Sequence, residues 1–416
     1  MDLKPSPFAP ASFPAIPTVR GVRAATGSRG FYAGRGLERD DVFLFAFDPG
    51  TVCAGVFTRS STASADVRWC REALSTGAGK ASALVANSGN SNAFTGGKGV
   101  LKNEATLAAM TQSLDCDKAA CFLAATGVIG EPLSDPNYVG SIVPELAETL
   151  AAPDWEACAK AFMTTDTFAK GAGFTRQIGD QDIAFAGISK GSGMIAPNMA
   201  TMLAYVFTDI AIAPKVLDQA LRAACDTSFN AITVDSDTST SDTLMVFATG
   251  ASGAASIDNV DDPRFPAFAE ALNQICLELA LLIVKDGEGA TKFVTIDVVG
   301  AETNTIAKAI ASDVANSPLL KTALAANDAN WGRVVMAVGK SGKPIDLDQL
   351  SIWFDDVQVA EQGGRTEDYD EAKATAAVSK PEINIRIRVG TGDGDATVYT
   401  CDLTHGYVDI NGAYRT

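Results

Sequence analysis

Histidine is nearly absent from this chain of 416 residues, which has only one, His405. A Ser-His-Asp or Cys-His enzyme would have to use that single imidazole as its base, and we interpret His405 as a structural or surface residue. The eight cysteines contain no Cys-x-x-Cys pair, so zinc-ligand spacing is lacking, and they indicate free, mostly buried thiols. In an enzyme of this composition, a nucleophile that carries its own base is the more attractive prediction.

Positive charge is also in deficit, because 33 Lys and Arg residues stand against 50 Asp and Glu, a net charge of −17. Nucleic acids and anionic membranes need a basic face, so we exclude both as partners. No apolar run approaches the roughly 20 residues of a spanning helix, and the longest, residues 275–284, is interrupted by Glu278. Residues 1–17 lack an apolar segment of signal-peptide length. We expect a soluble, cytoplasmic protein.

The sequence has ample material for a large core, since 47% of it is hydrophobic and its length allows two or three domains. Residues 42–47 (VFLFAF) predict a buried strand, and the apolar spacing of residues 266–284 predicts a helix. Residues 383–389 alternate as a strand. The Gly-Asp-Gly turn at 392–394 then predicts a hairpin with residues 397–403.

The central stretch of the chain is KGSGMIAPNMATML, residues 190–203, between two predicted strands. On local chemistry, its glycines make a tight turn and Thr201 is an ordinary strand residue. Alternatively, the Thr201 hydroxyl attacks the carbonyl of Ala200 and the resulting ester hydrolyses. Thr201 would then have a free α-amine that serves as base for its own hydroxyl. These residues alone leave both interpretations open.

This stretch resembles the self-cleavage segment of the ornithine acetyltransferase family, the bifunctional glutamate N-acetyltransferases of arginine biosynthesis. TGVIG at 126–130, DGEG at 286–289 and the ending at 407–416 are similar to family segments and come in the same order. The resemblance runs from about residue 20 to the end of the chain. It favours the nucleophile interpretation of Thr201.

An acidic loop after residue 234 is also similar to a loop of the family. Its alternating acidic residues resemble those of a calcium-binding loop. The sixth and twelfth positions of such a site require Gly and Glu, and they are Thr240 and Val246 here. We therefore reject a metal site in this loop.

The family's fold implies a layered αββα sandwich, like that of ornithine acetyltransferases and related aminopeptidases, over residues 1–290. A smaller C-terminal α/β domain would cover 291–400, and residues 401–416 would return to the active site. The implied function is transfer of the acetyl group from N-acetylornithine to glutamate through acetyl-Thr201, after cleavage between Ala200 and Thr201.

The resemblance also implies roles for individual residues. The Thr126 hydroxyl and the Gly127 amide would hold the developing oxyanion. The residues implied to contact substrate are Thr164, Lys190, Thr201, Glu288, Asn411 and Thr416. No metal or cofactor is needed, and acetyl-CoA could be a second donor, which would add amino-acid N-acetyltransferase activity.

The implied assembly is a heterotetramer of the two cleavage fragments, acting on small molecules. Two alternatives stay open. One is an aminopeptidase or amidase of the same fold, in which water takes the acyl group. The other is an uncleaved, non-catalytic binding protein.

Overall fold

The computed structural model describes residues 4–36, 38–196 and 202–413. These residues form a mixed α/β fold with fifteen strands, eleven α-helices and three sheets. The strands are β1 Val22–Gly27, β2 Val42–Phe47, β3 Val52–Phe57, β4 Ala83–Asn87, β5 Cys121–Ala125, β6 Lys170–Ile178, β7 Gln181–Lys190, β8 Leu203–Thr208, β9 Thr243–Ala248, β10 Phe293–Ala301, β11 Ser351–Phe354, β12 Val357–Glu361, β13 Gly364–Arg365, β14 Glu382–Arg388 and β15 Gly394–Cys401. The helices are α1 Ala65–Thr76, α2 Gly96–Leu114, α3 Val143–Glu148, α4 Trp155–Ala161, α5 Pro214–Thr227, α6 Phe265–Lys285, α7 Asn304–Ala315, α8 Pro318–Ala325, α9 Trp331–Lys340, α10 Glu371–Val378 and α11 His405–Ala413.

Two sheets pack face to face at the centre of the molecule. The first has the strand order β1-β2-β4-β5, and the second has the order β3-β9-β8-β7-β6. Fully buried rings of Phe43 and Phe45 on β2 meet those of Tyr205 and Phe207 on β8. The ring centroids of Phe45 and Phe207 are 4.6 Å apart. Aromatic burial of this kind supplies a large part of the core's hydrophobic stabilisation.

Helices cover the outer face of each sheet. Leu44 and Val85 of the first sheet pack against Leu107 of α2, in a cluster that also includes α3. Val206 of the second sheet shares a cluster with Leu217 of α5 and with α6. These central strands are apolar on both faces because both faces are covered. The layers therefore run helix, sheet, sheet, helix, which confirms the αββα sandwich predicted from the sequence.

Helix α6 is, among the described residues, the one helix long and apolar enough to cross a membrane by length and composition. Its Phe268, Leu272, Ile275 and Leu279 are fully buried in the cluster under the second sheet. Packing in the core accounts for this hydrophobicity. The helix begins one residue before the predicted range and ends one residue after it.

The third sheet has the order β13-β12-β11-β14-β10-β15 and belongs to residues 293–401. Strand β10 lies between β14 and β15, parallel to the first and antiparallel to the second. The predicted hairpin of residues 383–403 is therefore wrong. Val294, Ile296 and Val298 of β10 belong to the same buried cluster as residues of β14 and β15. This shared core explains why β10 lies between those two strands.

Strands β7, β8 and β9 are neighbours in the second sheet, and their terminal residues lie side by side at one end of it. Lys190 ends β7 and lies opposite Leu203, which begins β8. Leu203 in turn pairs with Thr243, which begins β9. Because β7 is antiparallel to β8 and β8 is parallel to β9, residues 191–196, Met202 and the acidic loop before Thr243 meet at the same end of the central strands.

We predict that Phe207→Ala lowers the free energy of unfolding by about 3–5 kcal/mol, because the cavity it leaves lies between two sheets that cannot close on it. Chemical denaturation measures this loss. The matched control is Leu347→Ala, at a side chain that is 64% exposed, and it should change stability by less than about 0.5 kcal/mol. Equal effects of the two substitutions would contradict the packing described above.

Candidate active site

A cavity of about 390 Å³ opens at this end of the central strands of the second sheet. The structure brings six of the predicted site residues together in its wall: Thr126, Gly127, Thr164, Lys190, Glu288 and Asn411. The predicted cleavage residues Ala200 and Thr201, and the predicted contact Thr416, lie outside the described residues.

Lys190 is a buried cation at the end of β7. Its Nζ donates hydrogen bonds to Thr164 Oγ1 at 2.9 Å and to Thr126 Oγ1 at 3.3 Å. Burial lowers the pKa of Lys190, and the carboxylate of Asp166 opposes that shift. Because the ammonium group donates to the Thr126 oxygen, the Thr126 hydroxyl is free to donate its own hydrogen elsewhere.

Gly127, the residue after Thr126, has a backbone conformation that only glycine can adopt here. Its φ is +129°, and a Cβ at this position would lie 2.4 Å from the carbonyl carbon of Gly89. The amides on either side, of Thr126 and Val128, donate to carbonyl oxygens of the 87–89 segment. Among the described residues the Gly127 amide has no acceptor. An amide and a hydroxyl on adjacent residues of the cavity wall can stabilise a developing oxyanion.

Glu288 is brought against the glycine loop of residues 191–193. Its amide donates to the carbonyl oxygen of Ser192 at 2.9 Å, and its Oε2 accepts from Asn411 Nδ2 at 2.6 Å. A Cβ on Gly193 would lie 2.4 Å from Oε2 of Glu288, so the missing side chain makes room for the carboxylate. Burial raises the pKa of Glu288. Helix α11 brings Asn411 to this place from the end of the chain.

An ion triad lies directly behind the wall of the cavity. Lys170 Nζ contacts Asp166 Oδ1 and Asp286 Oδ2, each at 2.6 Å, and the three side chains are wholly buried. Burial alone would raise the pKa of Asp166, but the ammonium groups of Lys170 and Lys190 outweigh it and lower that pKa. We therefore expect Asp166 to be ionised at neutral pH.

The triad also binds the backbone that carries the cavity residues. Asp166 accepts from the amides of Gly191 at 2.7 Å and Thr164 at 2.9 Å, and Asp286 accepts from the amide of Thr167 at 2.9 Å. Gly191 follows Lys190 directly, and Asp286 lies two residues before Glu288. The triad thus positions the three segments that carry Thr164, Lys190 and Glu288.

Two acidic side chains of the loop after residue 234 bind the described ends of the predicted cleavage segment. Asp235 accepts from the amides of Met194 at 2.5 Å and Ile195 at 2.8 Å, and Asp242 accepts from the amide of Met202 at 2.9 Å. Burial raises the pKa of both carboxyl groups. The acids that suggested a calcium loop therefore bind backbone amides.

The sequence analysis missed several residues that shape the site: Asp166, Lys170, Asp235, Asp242 and Tyr407. Tyr407 lines the cavity and donates its hydroxyl to Asp235 Oδ2 at 3.3 Å. The one available signal was the density of acids in the loop after residue 234. The calcium pattern alone does not identify acids that bind backbone amides.

The fold and the cavity define a class of protein: a layered α/β protein with a small polar cavity at the ends of its central strands. Residues 26–416 match the ArgJ family model. The chain is 50% identical over 419 residues to the arginine biosynthesis bifunctional protein ArgJ of Bradyrhizobium diazoefficiens, with all of both chains covered. It is 51% identical over 414 residues to the protein of that name from Rhizobium meliloti, with 99% of each covered. The chain belongs to the ArgJ family.

Solved structures give partial matches. An ArgJ structure from Bacillus halodurans is 36% identical with a TM-score of 0.48, and the match covers 50% of this chain and 96% of that one. The ornithine acetyltransferase of Mycobacterium tuberculosis, complexed with ornithine, is 26% identical with a TM-score of 0.35 and coverages of 43% and 92%.

We predict that Lys170→Met lowers the free energy of unfolding by about 3–5 kcal/mol, because two buried carboxylates lose their cation. Denaturant titration measures the change. The control is Lys160→Met, which removes a pair with Glu156 whose side chains are 61% and 46% exposed, and stability should stay near that of the wild type. A similar loss in both variants would contradict the importance of the triad.

Proposed function

We propose that the protein cuts itself between Ala200 and Thr201, and that the mature enzyme moves the acetyl group of N-acetylornithine to glutamate in arginine biosynthesis. Membership of the ArgJ family supports this proposal. The observation that carries it is the cavity, where the donor pair of Thr126 and Gly127 lies beside a buried cation, Lys190, and a buried carboxylate, Glu288.

In the first half of the reaction the Thr201 hydroxyl gives its proton to its own α-amine, and its oxygen bonds to the acetyl carbon. The Thr126 hydroxyl and the Gly127 amide stabilise the negative charge on the carbonyl oxygen. The C–N bond then breaks, the amine of ornithine takes the proton, and acetyl-Thr201 remains. In the second half the amine of glutamate attacks this ester, which gives N-acetylglutamate and frees Thr201.

The charges of the cavity suit an amino acid with an additional amine. Lys190 binds the α-carboxylate of the substrate, and Glu288 binds the amine end of ornithine. Thr164 is hydrogen-bonded to Lys190, and Asn411 is hydrogen-bonded to Glu288. These two residues, together with Thr201 and Thr416, complete the contacts with the substrate. This division of charge favours N-acetylornithine as acetyl donor.

The transfer requires neither a metal nor a cofactor, because each bond change uses groups of the chain or of the substrates. Acetyl-CoA is a second possible donor, since its thioester can acylate Thr201 by the same attack. The curated relatives named above are called bifunctional.

We also propose that the fragments, residues 1–200 and 201–416, stay together as a heterotetramer in the cytoplasm. Both fragments supply the cavity: Thr126 and Lys190 come from the first, and Glu288 and Asn411 from the second. An aminopeptidase or amidase, and an uncleaved binding protein, are not favoured by the family membership.

We predict that purified wild-type protein consists of two pieces, the second beginning Thr201-Met202-Leu203. Thr201→Ala should stay one chain and lose acetyl transfer, because the attacking hydroxyl is gone. Intact mass and N-terminal sequencing measure both. The control Thr111→Ala, on a half-buried position of α2, should be cut normally. An uncut wild-type chain would refute the mechanism.

We predict that KM for N-acetylornithine rises as pH falls through the raised pKa of Glu288, because the protonated carboxyl no longer pairs with the amine of the substrate. Glu288→Gln should raise KM about 10- to 100-fold at pH 8, the usual effect of losing a hydrogen bond to a charged group. It should also remove the acidic rise in KM. Exposed Glu302→Gln is the control and should leave both unchanged. A Glu288→Gln enzyme with the wild-type KM profile would exclude this contact.

A further inference from the structure

Strand β3 is an edge of the second sheet, and alternate residues of it face away from the sheet. On its one paired side it runs antiparallel to β9. Successive residues of such a strand direct their backbone amide and carbonyl groups alternately toward the partner strand and away from it. The Thr58 amide donates to the carbonyl oxygen of Asp242 at 3.1 Å, so the even-numbered residues point toward β9.

The odd-numbered residues of β3 point outward, and the chain covers only the start of this edge. The Cys53 amide donates to the carbonyl oxygen of Gly79 at 2.7 Å. Further along, the backbone groups of Gly55 and Phe57 have no hydrogen-bond partner among the described residues, although both residues are buried. Buried backbone groups are nearly always paired, so this free edge needs a physical explanation.

The free edge lies along a groove of about 1080 Å³, which we call the β3 groove. Residues 53–57 of β3 line it consecutively, and α1 and α5 supply its walls. The strand, VCAGVF, contains no charged residue or proline, and its register with β9 has no bulge. These are the devices that usually protect an edge strand from pairing with another chain. Their absence leaves β3 able to accept a further strand.

The rim of the β3 groove is basic, although the chain as a whole has a net charge of −17. Two acidic residues, Asp218 and Asp258, stand against four cationic ones: Arg59, Arg71, Lys215 and Arg222. Arg222 pairs with Asp218 at 2.8 Å. Arg59 and Lys215 are exposed and form no ion pair within the described part of the chain. The groove therefore attracts negative charge that most of the surface repels.

These features select one kind of occupant. Two copies of this chain joined through β3 about a twofold axis would face each other with identical basic rims, which repel. A small anion would pair with the cations but leave the carbonyl oxygens of Gly55 and Phe57 without donors. An extended peptide backbone carries donors and acceptors at the two-residue spacing of these groups.

We propose that the β3 groove binds an extended acidic segment of another protein, which adds a strand to the second sheet through Gly55 and Phe57. The backbone of the segment supplies the strand hydrogen bonds, and its carboxylates pair with Arg59 and Lys215. The groove shares no lining residue with the candidate active-site cavity. The inference is therefore independent of the proposed self-cleavage and acetyl transfer.

The first test uses a fluorescently labelled octapeptide in which valine and glutamate alternate, and fluorescence anisotropy measures its binding to the full chain. We expect saturable binding with a micromolar Kd. A peptide of alternating valine and lysine should bind at least about tenfold more weakly, because its charges repel the rim. The valine–glutamate peptide N-methylated at every residue should not saturate, because it cannot donate strand hydrogen bonds.

The double variant Arg59→Glu and Lys215→Glu should weaken binding of the glutamate peptide by about tenfold or more and strengthen binding of the lysine peptide. Both side chains are exposed, so the fold should be unaffected. The matched control is Arg388→Glu, an exposed position of β14, which should bind as the wild type does. An equal loss in the control would contradict the role of the rim.

Hydrogen exchange on the wild-type chain tests the strand pairing without any variant. In the free protein the amides of Gly55 and Phe57 should exchange faster than those of Ala54 and Val56, which point toward β9. The glutamate peptide should slow the first two by at least about tenfold and leave the other two nearly unchanged.

Three results would overturn the proposal. The first is no saturable binding of the glutamate peptide, and the second is equal binding of its lysine or N-methylated form. The third is protection of Gly55 and Phe57 that rises with protein concentration when no peptide is present, because a second copy then occupies the edge. A wild-type chain that binds the peptide but transfers no acetyl group would refute the proposed function and leave this inference standing.

Discussion

The cavity depends on one buried cation, the ammonium group of Lys170, held between Asp166 and Asp286. Buried charges are costly unless they are paired and hydrogen-bonded. Here the backbone amides that donate hydrogen bonds to the triad also hold the wall of the cavity in place. The amide of Gly191 and the amide of Thr164 both end on Asp166. Segments far apart in sequence are thereby held in one arrangement before any substrate arrives, which is the preorganisation that electrostatic catalysis needs.

The site uses its acidic residues mainly to fix backbone. Asp235 and Asp242 accept hydrogen bonds from backbone amides at the two described ends of the proposed cleavage segment, and Glu288 is left to face the cavity. Carboxylates that accept backbone amides restrain the chain more rigidly than solvated side chains do. The large negative charge of the sequence therefore says little about the site, where individual acids have separate roles.

Sequence patterns predicted those helices and strands that a regular repeat of apolar side chains defines. The apolar run at 42–47 and the periodic run at 266–284 were found because their side chains repeat with the period of a strand or a helix. The hairpin at 383–403 failed because β10, distant in sequence, lies between its strands. In the cavity, the family-like motifs pointed to Thr126, Lys190 and Glu288, which the fold does bring together. The pairing of Lys170 with Asp286 could not be predicted, since the two residues are 116 positions apart and no spacing rule covers such a pair.

The strand order of the second sheet has a consequence for how the protein must be made. Strands β8 and β9 come after the proposed cut, yet they lie between β3 on one side and β7 and β6 on the other, all of which come before it. A half produced alone would expose unpaired, apolar strand edges, the usual starting point of aggregation. Synthesis as one chain ensures that these edges meet while the sheet forms, before the proposed loss of the peptide bond between Ala200 and Thr201. If the chain is cut as proposed, its uncut form therefore brings about the folding of both halves.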